Sequence, residues 1–172
     1  MKTYIGIDIG KKGAIAVLNP DGIETHTIPM VKDELAYSDL FDLLQHIQAV
    51  TLTKTGGNPH VVFEKLGVIF GSSKATAFSM GYQSGAVEMM MISLGIPYTK
   101  IPAKQWQKDM FQGVEVIKKT GKTSNDTKAM ALIAARRLFP NQKLTFGERA
   151  TKPHDGIVDS LLMAEYAKRK NL

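Results

Sequence analysis

Cysteine is absent from this sequence, which excludes disulfides, thiolate metal sites and cysteine nucleophiles. No apolar run approaches the ~20 residues that a membrane-spanning helix needs. The opening stretch lacks a secretory pattern, because Asp8 and the Lys11-Lys12 pair interrupt its apolar residues. A phosphate-cradling GxxxxGK[ST] loop is missing as well: Lys118-Lys119-Thr120-Gly121-Lys122-Thr123 has no first glycine at the required spacing. Internal repeats, low-complexity tracts and linker-like segments are not found either. The expectation is one intracellular, cytoplasmic domain over residues 1–172, long enough to bury a sizeable core. An apolar content of 44% with 22% charged residues is ordinary for such a fold.

What is present in excess is positive charge, and it is localised. Nine basic residues between Lys100 and Arg137 are interrupted by only three acids, so this segment carries the whole net charge of +6. A concentrated positive field suits a polyanionic partner, through phosphate attraction and counterion release. A solvated lysine-rich surface is the alternative. Candidate phosphate contacts are Lys104, Lys118, Lys119 and Lys122 in this segment, with Lys74, Lys11 and Lys12 outside it.

The chain opens on an apolar strand, Tyr4 to Gly10, with Asp8 inside it, then a glycine-bearing turn (Gly10 to Gly13) and a second strand from Ala14 to Leu18. This reads as a hairpin. A third strand runs from Gly22 toward Pro29, and a helix capped by Ser38 follows to Ile47. His60 to Lys65 is a fourth strand that carries Glu64 near its end. A long helix is expected from Lys74 to Leu94, with Ala77, Gly81, Ser84 and Gly85 packed closely on the sheet, Met89-Met90-Met91 filling the core and Gly95 closing it. A fifth strand to Ile101, a short helix containing Trp106, a lysine-rich loop, a helix from Thr127 to Phe139 and a last helix from His154 complete the chain. The result is an α/β fold: a mixed five-stranded sheet flanked by helices.

An acid inside an apolar strand is costly to bury unless its charge is compensated. Asp8 therefore faces a divalent cation or helps to form the turn after its strand. On the last helix Asp155 and Asp159 are four residues apart, which puts both carboxylates on one face, one turn apart. Capping or the helix dipole accounts for Asp155 but poorly for Asp159, which lies more than a turn inside. Oxygen ligands of this kind suit Mg²⁺ or Mn²⁺. Two such ions ~3.5–4 Å apart can activate a water and stabilise the leaving oxygen of a phosphodiester.

This order of parts resembles the RNase H-like nucleases, and among them the RuvC-type Holliday junction resolvases. The resemblance rests on Gly6-Ile7-Asp8-Ile9-Gly10, on Val62-Phe63-Glu64, and on the helix that starts His154-Asp155-Gly156 and continues through Asp159-Ser160-Leu161-Leu162. It looks closest to the phage and chloroplast branch, where Gly81 to Gly85, Ile101 to Trp106 and Thr127 to Pro140 also have counterparts. The resemblance implies that Asp8, Glu64, Asp155 and Asp159 hold two Mg²⁺ or Mn²⁺ ions, with His154 an alternative ligand or proton carrier. It also implies a phosphate-side role for Lys128 and a homodimer that cuts two opposed strands of a four-way DNA junction symmetrically. Phe70 is a candidate wedge at the junction centre, or a hinge-side aromatic. Trp106, between Lys104 and Lys108, either stacks on DNA or belongs to the core. Two other readings compete: a non-catalytic protein that binds branched DNA, and an ATP-phosphate-binding enzyme on the same fold, whose relatives usually need a second domain.

Overall fold

The computed structural model describes residues 2–67, 73–147 and 149–172. Three strands form a meander: β1 (Tyr4–Asp8), β2 (Ala14–Asn19) and β3 (Gly22–Thr27). A two-stranded hairpin follows, β4 (Met30–Val31) and β5 (Glu34–Leu35), and then helix α1 (Tyr37–Thr55). The remaining elements are β6 (His60–Glu64), α2 (Lys74–Leu94), β7 (Tyr98–Ile101), α3 (Ala103–Met110), α4 (Thr127–Leu138) and α5 (Asp155–Lys170). The five-stranded sheet has the order β3-β2-β1-β6-β7. β1, β2 and β3 pair antiparallel, while β1, β6 and β7 run parallel. The mixed sheet is as expected from the sequence.

Side chains alternate across a strand, and the two faces of this sheet bury separate cores. Ile5, Ile7, Ile15, Val17, Val61 and Phe63 point to the side covered by α1 and α2. α1 supplies Leu40, Leu44 and Ile47 there, at helical spacing. Tyr4, Ala14, Ala16, Leu18 and Val62 point to the other side, where α3, α4 and α5 pack. α5 is the most enclosed helix: every residue from Gly156 to Ala164 except Asp159 is buried. No helix among the described residues is long and apolar enough to cross a membrane.

Four expectations are corrected. α1 starts earlier than Ser38: its N-cap is Ala36, which makes no side-chain capping bond, and Ser38 lies inside the first turn. The β4–β5 hairpin was not expected, because its turn places Lys32 and Asp33 at φ 47° and 66°, a conformation normally signalled by an Asn or Asp followed by Gly. Ala77, Gly81 and Gly85 do not face the sheet. They are exposed, and a Cβ on Gly81 or Gly85 would meet nothing within 4 Å. Of the three consecutive methionines, Met90 and Met91 are core but Met89 points to solvent.

Candidate active site

Asp8 and Glu64 are the last residues of two adjacent parallel strands, whose register pairs Ile7 with Phe63 one step earlier. By alternation both carboxylates emerge on the α5 side, beyond Gly6 and Val62. This is the C-terminal edge of parallel strands, where open α/β sheets commonly bind ligands. α5 brings the other two acids. It makes more contact with β1 than with any other element, and it can do so because β1 offers a glycine. A Cβ on Gly6 would lie 2.0 Å from the Ser160 carbonyl oxygen and 2.8 Å from the Ala164 nitrogen. At its start, α5 presses on the first hairpin: a Cβ on Gly156 would lie 2.4 Å from the Lys12 carbonyl oxygen. Two side-chain-free contacts thus set the height of Asp159 over the end of β1.

The electrostatics follow from that enclosure. Burial, reinforced by repulsion from Asp159, Glu64 and Asp155, pushes the Asp8 carboxyl up to about 8, with Lys128 opposing. Burial and the charges of Glu64 and Asp155 push Asp159 up to about 7. Glu64 is raised by burial, against a hydrogen bond from Trp106. Asp155 is exposed and accepts a 2.5 Å hydrogen bond from Lys128 Nζ. Its partner's ammonium is held above the usual lysine range chiefly by that bond. Both side chains are more than half exposed, so the pair is screened and contributes little to stability. Accordingly, Lys128→Met is expected to change the unfolding free energy by less than about 1 kcal/mol, read by urea denaturation.

Three half-buried acids with one lysine beside them are under-compensated. Burial of this kind favours either retention of a proton, as at Asp8 and Asp159, or uptake of a cation. The donor set consists of carboxylate oxygens alone, which fits a hard divalent ion such as Mg²⁺ or Mn²⁺. Among the described residues, however, no group of three or more acidic and histidine side chains is gathered tightly enough to hold a metal ion. Two of the four acids each have one oxygen engaged by a protein donor: Glu64 Oε1 accepts from Trp106 Nε1 at 3.0 Å, and Asp155 Oδ2 from Lys128 Nζ.

Two cavities flank the acids. One is lined by Asp8, Glu64, Leu66 and the α2 residues Met80, Gln83 and Ser84. The other lies between α4 and α5 and is lined by Asp126, Lys128, Lys152, Asp155 and Asp159. Lys152 and Gln83 were not singled out in the sequence, where nothing distinguishes a rim lysine or an inward glutamine from its neighbours.

The other candidates are dispersed. Lys11 and Lys12 are exposed in the first hairpin turn, and Lys11 borders a groove with Tyr37, Phe78 and Tyr82. Lys74 is exposed at the start of α2, and Lys104 on α3. Lys118, Lys119 and Lys122 project from a loop closed by the Lys118–Asn125 bridge, where Lys118 Nζ is already bonded to Asn125 Oδ1. Phe70 lies outside the described residues. Trp106 is a correction: it is 0% exposed, so it offers no face to a DNA base. His154 is the N-cap of α5, with its ring edge-on to Phe146. Its Nδ1 is buried without a hydrogen-bond partner among the described residues, and burial lowers its basicity.

No family model matches this chain, and no curated protein sequence does. Solved structures do. RuvC of Thermus thermophilus in complex with a Holliday junction substrate superposes with a TM-score of 0.60, over 99% of this chain and 95% of that one, at 14% identity. A second T. thermophilus RuvC structure gives a TM-score of 0.54 over 98% and 96%, at 15% identity. The fold is RNase H-like, of the RuvC type. At this identity the likeness carries the architecture, with the five-stranded sheet and its five helices, and leaves the chemistry to the residues.

Proposed function

We propose that this chain is a divalent-metal-dependent, structure-selective endonuclease that resolves four-way or similarly branched DNA junctions, acting as a cytoplasmic homodimer of one-domain subunits. The observation that carries the reading is the convergence of Asp8, Glu64, Asp155 and Asp159: two adjacent strand ends and one helix face place four acids around one edge of the sheet. Asp8, Glu64, Asp155 and Asp159 would hold the ions, Asp155 once Lys128 turns away from it. Mg²⁺ or Mn²⁺, when bound, supplies water activation and stabilisation of the leaving oxygen. Lys128, freed from Asp155, neutralises charge at the scissile phosphate. Lys118, Lys119 and Lys122 follow the DNA backbone, so affinity comes from electrostatics and selectivity from branched shape rather than base edges. A kinship with the phage and chloroplast resolvases is part of this proposal, and it rests on the sequence segments Gly81 to Gly85, Ile101 to Trp106 and Thr127 to Pro140.

The homodimer has support in α2. Phe78, Tyr82, Gly85, Met89 and Ile92 recur at heptad spacing on the helix face turned away from the sheet. Phe78 is 76% exposed, Tyr82 60%, Met89 57% and Ile92 56%. An outward apolar stripe of this period, with a glycine at its midpoint, suits close pairing with another helix. Phe78→Asp combined with Tyr82→Asp is expected to halve the mass measured by light scattering. Such a variant would leave single nicks in place of paired ones; an unchanged mass would place the dimer surface elsewhere.

The deciding experiment is cleavage of end-labelled synthetic four-way junctions in Mg²⁺ or Mn²⁺, with a matched linear duplex alongside. Paired symmetric nicks on the junction alone are expected. Lys128→Met should lower the rate by about 100-fold or more. Equal cleavage of the duplex would remove the junction selectivity, and tight junction binding without cleavage in either metal would leave a binding protein.

A further inference from the structure

We infer that Trp106 is a positioning residue for Glu64: its indole N–H fixes the carboxylate so that one oxygen is held by protein and the other is left for the metal. This rests on the function proposed above. Trp106 is completely buried, packed edge-on against Phe111 at 6.1 Å between ring centres. A phenylalanine would fill a similar space. The indole differs in its N–H, a donor that must find an acceptor when buried. Here the acceptor is Glu64 Oε1 at 3.0 Å, an acid at the end of β6, rather than a backbone carbonyl.

The helix that carries the indole is braced on two further sides. Gln105 Nε2 donates to the Tyr166 hydroxyl at 2.6 Å, which ties α3 to α5. Arg137 of α4 donates to the carbonyls of Gln112 and Met110, which holds the C-terminal end of α3. α3 is therefore fixed to the two helices that contribute Lys128, Asp155 and Asp159, and through Trp106 it fixes the remaining acid. A hydrogen-bonded outer partner of this sort orients a metal ligand and raises affinity without touching the ion.

The chain has one tryptophan, so an amide spectrum of ¹⁵N-labelled, metal-free protein shows a single indole N–H peak. Glu64→Ala is expected to move that peak upfield and to speed its exchange with solvent. An unmoved peak overturns the inference. Mn²⁺ titrated into wild type and into Trp106→Phe, followed by water-proton relaxation, is expected to bind about ten- to a hundredfold more weakly to the variant. Equal affinity overturns the positioning role and leaves the proposed function standing. Absence of Mn²⁺ binding by the wild type overturns that function and this role together. If Trp106→Phe does not fold, the Glu64→Ala spectrum decides.

Discussion

Asp8→Asn is expected to abolish junction cleavage and, at pH 8 without metal, to raise the melting temperature. The two effects have one cause. In the folded chain the Asp8 carboxyl titrates at about 8, against an ordinary value of 3.8. The native state therefore binds a proton that the unfolded state has released throughout that window, and stability falls as pH rises from about 4 to about 8. Above pH 8 the full penalty of an ionised, half-buried acid among other acids is present. Asparagine keeps the shape and removes the charge. A gain of about 2 kcal/mol corresponds to roughly 4–8 °C for a chain of this size. Asp159→Asn should act in the same sense over a narrower window, since Asp159 titrates at about 7. Thermal melts at pH 5 and pH 8, with and without Mg²⁺, check this. Wild type should be less stable at pH 8 than at pH 5 and should regain stability with Mg²⁺. Asp8→Asn should show a shallower pH dependence and little response to Mg²⁺. A variant that melts lower than wild type at pH 8 would mean that the acid is compensated within the protein.

Gly6→Ala is expected to destabilise the chain by about 3 kcal/mol or more, a loss of roughly 6–12 °C in melting temperature. The added Cβ would sit 2.0 Å from one backbone atom of α5 and under 3 Å from another, and no side-chain rotation relieves either clash. Either α5 lifts from β1 or β1 bends out of the sheet, and both separate Asp159 from Asp8. Gly81→Ala is the matched control. It lies in the α2 interior, where the new methyl meets nothing, so helix propensity alone should stabilise by about 0.5–1 kcal/mol. Denaturation of the two variants side by side separates a close-approach glycine from a permissive one.

These contrasts indicate how far the sequence could be read. Asp8 and Glu64 were legible because a carboxylate at an apolar strand end is rare, and because alternation fixes the face on which it emerges. Asp155 and Asp159 were legible from helical spacing. Trp106 was not: stacking on DNA and donating to Glu64 use the same residue, and only the packing of α3 decides between them. The small residues of α2 misled for a related reason. Close packing on a sheet and outward exposure give the same composition, and the apolar stripe of α2 becomes informative only once its opposite face, with Val87, Met90 and Met91, is seen in the core. The Lys32-Asp33 turn escaped because Lys32 does not signal a left-handed backbone and Asp33 alone is a weak signal without a glycine beside it. Gly6 and Gly156 show the reverse: their presence was visible, but what they make room for was not.

The docking of α5 on β1 also bears on how the protein is made. β1 leaves the ribosome before α5, and the other described elements lie between the two in chain order. Contacts this distant in sequence close a long loop and form late in folding. A nascent chain can therefore assemble its sheet and both Asp8 and Glu64 while Asp155 and Asp159 are still untranslated. Until α5 settles into the gap left by Gly6, the acid cluster is incomplete, so the order of synthesis also sets the order in which the four carboxylates meet.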